Sequence, residues 1–276
     1  MRVSYFPGCA SHGTGKEFDG PTRDVCDLLG IELAEIPDWS CCGSSVAHSV
    51  SNELALSLAG RNLKIASQAG DPVLTPCAAC FSRLGHAKQE FAERKIEKES
   101  SDLPLWHALH LFTRPDYVEK IVEKSKTNLN GLKILGYYGC LLTRPTTLSG
   151  LEDSENPMLM ETLLTRLGAE MLDWPFKTEC CGGSLSVPRK DLVAKLSDIL
   201  LSQAARYGAE AVVTPCSMCF MNLDRQNDAR APKPPVIPVF SLAELLLLAL
   251  APDRAKPYLG GHLGDPFPLL VRRGLA

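Results

Sequence analysis

The chain of 276 residues has no long apolar run. Its longest, Leu242 to Ala251, is interrupted by Glu244. That is far short of the roughly 20 residues needed to cross a bilayer, so a buried helix is expected there and no membrane span. No charged-then-apolar leader opens the sequence, since Met1-Arg2-Val3-Ser4-Tyr5-Phe6 runs straight into a strand-like segment; a cytoplasmic chain is the expectation. Net charge is only −3, Lys and Arg are dispersed, and aromatics make up 7%, which argues against a nucleic-acid surface. There is no C-x2-C-x2-C ferredoxin run and no G-x-G-x-x-G after a strand. Electrons or hydride, if the chain uses them, must therefore come from a partner.

Cysteine, by contrast, is abundant and ordered. Ten of the eleven cysteines form two copies of one pattern: Cys9, Cys41-Cys42-Gly43 and Cys77-Ala-Ala-Cys80, then Cys140, Cys180-Cys181-Gly182 and Cys216-Ser-Met-Cys219. The flanks repeat as well, Pro-Gly-Cys against Tyr-Gly-Cys and Thr-Pro-Cys-x-x-Cys in both halves, and 35 positions separate Cys42 from Cys77 and Cys181 from Cys216. In a reducing compartment such spacing means metal ligands rather than disulfides.

The rest of the chain duplicates around these motifs. Strand-like Val3–Phe6 and Ile134–Tyr138 each end at Gly and the first cysteine of a set. In the first half a helical Thr22–Leu29, an apolar Ile31–Ile36 and a helix from Ser45 to Ala69 follow. The second half has Asn156–Leu167, Glu170–Leu172 and a helix from about Arg189 to Tyr207. Strand-like Pro72–Leu74 and Ala211–Val213 each run into Thr-Pro-Cys, and Pro104-Leu105-Trp106 and Pro238-Val239-Phe240 each precede a leucine-rich segment. Strands alternating with helices imply parallel pairing, so the expected fold is two α/β repeats related by a pseudo-twofold axis, each a small parallel sheet flanked by helices. The expected units are 1–130, 131–251 and a tail, 252–276, that wraps the surface or meets a partner. The charged stretch Lys88 to Asp102 reads as a solvated helix face.

Thr-Pro-Cys-x-x-Cys reads as a helix start, with Thr75 or Thr214 as cap and Pro76 or Pro215 in the first turn. Both thiols of each pair then meet the positive end of a helix dipole, which favours thiolate. A zinc scaffold is one alternative, but four-ligand zinc sites are usually built from two C-x2–4-C knuckles. An adjacent Cys-Cys pair among five thiols suits an iron–sulfur centre better, because separate irons can take separate thiolates.

The ten-cysteine pattern, from Tyr5 to about Leu250, resembles the cysteine-rich CCG-domain family, most closely the B-subunit type of heterodisulfide reductase. The resemblance implies two noncubane [4Fe-4S] clusters, one held by Cys9, Cys41, Cys42, Cys77 and Cys80, the other by Cys140, Cys180, Cys181, Cys216 and Cys219. It implies reductive cleavage of a disulfide held between the two clusters, two electrons and two protons releasing both thiols. The partners it implies are a ferredoxin-like iron–sulfur C-type subunit and a flavin-containing A-type subunit. CCG domains also occur in succinate- and lactate-oxidising enzymes, where an electron-transfer or anchoring role is the alternative, and a sulfur-oxidising complex would run the chemistry in reverse. Cys41-Cys42-Gly43-Ser44 stands where the methanogen enzymes are expected to have Cys-Cys-Pro, which points to a divergent relative whose disulfide or direction differs.

Four polar residues near the cysteines are weaker candidates. His12 and His48 are placed to donate protons to a departing thiolate, although a hydrogen-bonded surface histidine is the plainer reading of each. Lys16 and Arg144 could line a cavity for an anionic substrate, with solvated surface charge the plainer reading. Cys26, outside both patterns, reads as a small core residue.

Overall fold

The computed structural model describes residues 1–13, 16–227 and 236–275, with the side chains of His12, Lys16, Glu17 and Ser45 outside the description. Two four-stranded parallel sheets repeat one another strand for strand. The first contains β1 (Arg2–Tyr5), β2 (Glu32–Glu35), β3 (Val73–Thr75) and β4 (Leu105–His107) in the order β2-β1-β3-β4. The second contains β5 (Lys133–Gly136), β6 (Glu170–Leu172), β7 (Ala211–Thr214) and β8 (Val239–Ser241) in the order β6-β5-β7-β8. Even the register recurs, Arg2 opposite Glu32 and Lys133 opposite Glu170. The two-fold α/β repeat expected from the sequence is present, and each Pro-x-x segment noted there supplies the fourth strand.

This order dictates where the cysteines go. Chain connections leave β1 and β3 in opposite directions, which opens a crevice beyond the carboxyl ends of those two strands, the place where open α/β sheets bind ligands. Cys9 follows β1, Cys41 and Cys42 follow β2, and Cys77 follows β3, so one edge of the sheet collects all of them; the second sheet does the same with its set.

One local expectation changes. The helix read from Ser45 to Ala69 is two helices, Ser44–Val50 and Asn52–Ser67. Ser51 breaks it by taking extended backbone and capping the second helix, its hydroxyl accepting the Leu54 N–H at 3.1 Å. Residues 252–275 of the tail are partly buried. Its helices Pro252–Leu259 and Phe267–Arg272 sink Leu259, Leu269 and Leu270 into the core.

The leucine-rich helix Leu242–Leu250 is buried along its whole length and packs on the first-half helix Lys16–Leu28. Ser241 and Glu244 close a capping box at its start, and Glu244 also meets His262 of the tail at 2.7 Å. The tail reaches across both repeats. Arg254 and Tyr258 hold Asp24 of the first, the Tyr258 hydroxyl at 3.0 Å, and the Leu263 N–H donates to Asp224 of the second at 2.7 Å.

Tyr258 packs against Gly20, where a Cβ would stand 2.2 Å from the ring. Gly20→Ala is therefore expected to push the tail off its bed at a cost of about 1–3 kcal/mol, the range for overpacking. Faster proteolysis within 252–275 would show this, and unchanged cleavage would mean that the tyrosine moves aside freely.

Candidate metal centres

Each Cys-x-x-Cys pair opens a helix, Cys77 capping Ala78–Arg94 and Cys216 capping Ser217–Gln226. The cap is thus two residues later than the sequence reading places it. Thr75 and Thr214 still belong to their strands, and their hydroxyls instead accept the N–H of Cys77 and Cys216 at 3.4 and 3.3 Å. Cys80 and Cys219 lie in the first turns, among N–H groups that no carbonyl within the helix can reach.

In the Cys-Cys-Gly turns, Gly43 and Gly182 take left-handed backbone at φ 80°. This conformation, which glycine adopts without strain, turns amides toward the sulfurs. The Gly182 N–H donates to Cys180 Sγ at 3.3 Å, and the Gly43 N–H does the same for Cys41. Gly8 and Gly139, before the first cysteine of each set, bring the backbone so close that a Cβ would lie 2.9 Å from Cys80 Sγ or Cys219 Sγ.

The sulfurs of each set consequently meet. Cys9 and Cys41 are 3.6 Å apart and Cys42 and Cys80 3.4 Å, while Cys140 and Cys180 are 3.7 Å apart and Cys181 and Cys219 3.5 Å. Cys77 and Cys216 join Cys80 and Cys219. Disulfide sulfurs would be about 2.05 Å apart, whereas thiolates sharing a tetrahedral metal at roughly 2.3 Å lie about 3.8 Å apart. Among the described residues no three or more His, Cys, Asp or Glu are arranged to hold a single metal ion. Sulfurs strung out in contacting pairs suit a centre of several metals better than one zinc ion.

Protonation makes the same demand. Cys9 and Cys140 are pushed well up by hydrogen bonding to Cys41 and Cys180 and then by burial, while Cys41 and Cys180 are lowered by their contacts with neighbouring thiols. Cys80 and Cys219 are raised by hydrogen bonds to Cys42 and Cys181. Crowded thiols thus hold one another's protons, and the positive charge of an iron–sulfur centre would favour their ionisation.

Each site is open on one side and dry on the other. Cys9, Cys41 and Cys180 are exposed and Cys140 is half-buried, whereas Cys42, Cys77, Cys80, Cys181, Cys216 and Cys219 are buried. The wall between the sites is shared. Met218 and Leu141 pack against the first set's core, Ser44 Oγ reaches Met218 Sδ at 3.9 Å, and the buried Ser217 hydroxyl faces Cys77.

His107 stands where the two Thr-Pro-Cys turns meet. It is fully buried, its Nδ1 accepts the Leu109 N–H at 3.1 Å, and its ring faces the Pro76 and Pro215 carbonyls. Burial pushes it down to about 3, so it is neutral. A single histidine outside any motif gave no sequence signal. Neither did Asn222, whose amide donates to Cys181 Sγ at 3.5 Å, nor Arg83, which sits in the equivalent place of the first repeat.

Of the weaker candidates, His48 lies against Arg83 and Asn52, and burial followed by the Arg83 charge lowers it. Arg144 is exposed and pairs with Glu155 at 3.0 Å. The side chains of His12 and Lys16 lie outside the described residues. Cys26 is a core residue as read, fully buried and pushed up to about 12 by burial.

The cysteine-rich domain model CCG matches twice, over residues 3–85 and 134–224, so that both sets fall inside a match. The chain belongs to the CCG cysteine-rich domain family. Within it, the chain is 34% identical over 259 residues to the 8-methylmenaquinol:fumarate reductase membrane anchor subunit of Wolinella succinogenes, covering 90% of this chain and 91% of that one. It is 27% identical over 274 residues to the B-type subunit of the ferredoxin:CoB-CoM heterodisulfide reductase of Methanosarcina mazei, covering 92% and 91%. A crystal structure of a hypothetical protein from Helicobacter pylori shares the fold, with a TM-score of 0.70 at 11% identity, across 96% of this chain; this chain spans about half of that one, 52%. These CCG relatives with named functions are subunits of oxidoreductases, and together with the cysteine-rich domains they point to iron–sulfur clusters. No helix among the described residues is long and apolar enough to cross a membrane.

Proposed function

We propose that residues 1–130 and 131–251 each hold one noncubane [4Fe-4S] cluster, on Cys9, Cys41, Cys42, Cys77 and Cys80 and on Cys140, Cys180, Cys181, Cys216 and Cys219, with 252–276 strapping the two units together. The pair of sites serves to reduce a disulfide, CoM-S-S-CoB or a related heterodisulfide, in a cytoplasmic complex. A ferredoxin-like subunit, itself supplied by a flavin-containing one, brings the electrons. What carries this reading is that both five-sulfur sites are complete and back onto one shared wall.

Bound there, the clusters would supply one-electron transfer and iron with affinity for sulfur. The chain's own part is placement. Exposed Cys9, Cys41 and Cys180 leave one side of each site open to a sulfur compound, while Met218 and Leu141 keep water from between the sites.

The 34% identity with the membrane anchor subunit of a fumarate reductase favours a second reading, in which the same two clusters relay electrons within a fumarate-reducing complex. Iron and acid-labile sulfide measured on protein purified without oxygen should come to about eight of each per chain. An EPR signal that appears only on oxidation with a thiol present supports disulfide chemistry. Eight irons without such a signal, with fumarate reduction by the assembled complex, would support the relay. Four irons with one zinc would defeat both.

A further inference from the structure

His107 ends β4 and Ser241 ends β8, opposite Thr75 and Thr214, so the two stand at equivalent places in the repeats. Each caps the helix that follows. The Ser241 hydroxyl accepts the Glu244 N–H at 3.1 Å, and His107 Nδ1 accepts the Leu109 N–H at 3.1 Å. A hydroxyl would cap the first repeat as well as it caps the second, so capping alone does not call for a histidine. What the imidazole adds is a second nitrogen on the far side of the ring.

Because Nδ1 accepts and the buried ring is neutral, the hydrogen sits on Nε2. Nε2 is buried and faces the Pro76 and Pro215 carbonyls without a well-formed hydrogen bond to either. No backbone N–H among the described residues donates to these two carbonyls. His107, Pro76 and Pro215 line one cavity of about 10 Å³, whose other walls include Phe18, Phe112 and Leu242. One donor and two acceptors, one acceptor from each repeat, thus converge in apolar surroundings, where leaving them unpaired is costly. A space of this size takes about one water, and a buried water typically makes about three hydrogen bonds.

We propose that this cavity holds one water, which accepts the His107 Nε2–H and donates one hydrogen to the Pro76 carbonyl and the other to the Pro215 carbonyl, and that His107 is thereby a positioning residue for both sulfur sites. Pro76 and Pro215 immediately precede Cys77 and Cys216, which cap the helices that carry Cys80 and Cys219. Tying both carbonyls to one point fixes how far apart the two Cys-x-x-Cys turns stand. The positioning role rests on the two-cluster reading above, and the water does not.

A crystal structure of the anaerobically purified full chain should show the water within hydrogen-bond distance of all three atoms. A direct bond from Nε2 to one carbonyl, with no water, overturns the proposal. Pulsed EPR on the same protein with both clusters reduced should give one narrow distance between them. His107→Ser keeps the kind of cap that Ser241 provides and removes the Nε2–H, so iron should stay at about eight per chain while the distance distribution broadens. His107→Gln, which returns an N–H to that depth, should narrow it again. Iron lost from both sites together in His107→Ser and restored in His107→Gln also supports the role. A distribution as narrow in His107→Ser as in the unaltered chain, or iron lost from one site alone, overturns it. An unaltered chain with fewer than two clusters defeats the two-cluster reading and the positioning role with it, while the water still stands or falls by the crystal structure.

Discussion

Alanine at Gly139 is expected to empty the second five-sulfur site and leave the first filled, so that iron per chain falls to about half. Gly139 has φ 71° and ψ 179°, a combination essentially closed to any residue with a side chain. The added Cβ would also stand 2.9 Å from Cys219 Sγ, so the group that must yield is itself a candidate ligand. Neither problem has a cheap remedy, because Tyr138 and Gly139 are held by hydrogen bonds from both amides to the Lys177 carbonyl, at 2.8 and 3.1 Å. Gly8→Ala should do the same to the first site, where φ is 78° and ψ is 159°. Gly208 is the control, with φ 76° but nothing within 4 Å of its missing Cβ. Gly208→Ala should cost about 1 kcal/mol of stability and no iron. Full iron in Gly139→Ala would mean that Cys219 does not hold the centre in this geometry.

The second large effect is expected at Lys177. Its ammonium is buried, 3.4 Å from Glu161 Oε1, and it donates to Asn156 Oδ1 at 2.8 Å. Glu161 is equally enclosed and accepts the Tyr138 hydroxyl at 2.6 Å. Such a pair offsets its own desolvation only while both members are present. Lys177→Met strands a carboxylate in the interior, and the cost should be about 3–5 kcal/mol. In a chain of this size that is a fall in melting temperature of roughly 10 °C. Adding Glu161→Gln to Lys177→Met should recover a good part of the loss, because it removes the charge left behind and keeps a hydrogen-bonding partner for Tyr138. A double variant as unstable as Lys177→Met alone would show that the damage comes from lost packing and the Asn156 contact.

Neither Lys177 nor Glu161 was legible in the sequence, whereas the cysteines were. A ligand set that must meet at one edge of a sheet leaves a fixed spacing behind it, and a duplicated spacing cannot be overlooked. The strands were legible for a related reason: Val73–Thr75 and Ala211–Thr214 are buried throughout and, up to the closing threonine, apolar. Ion pairs such as Lys177 with Glu161 join positions that only the fold makes neighbours, and an isolated Lys or Glu looks like surface until its burial is known. The misplaced caps have a different origin. Thr75 and Thr214 have the right chemistry for a cap, but the strand hydrogen bonds claim them first, and the helix starts at the cysteine. His107 was invisible because it acts at the junction of the two repeats, which no single repeat contains.

Leu242–Leu250 belongs to one repeat and lies wholly buried against Lys16–Leu28 of the other, while the tail is tied to Asp24 on one side and Asp224 on the other. The halves therefore cannot swing apart like jaws, and the span between the two sulfur sites is set when the chain folds. A molecule that engages both sites at once must already match that span, so length and flexibility in the visitor, rather than closure by the host, decide what is admitted.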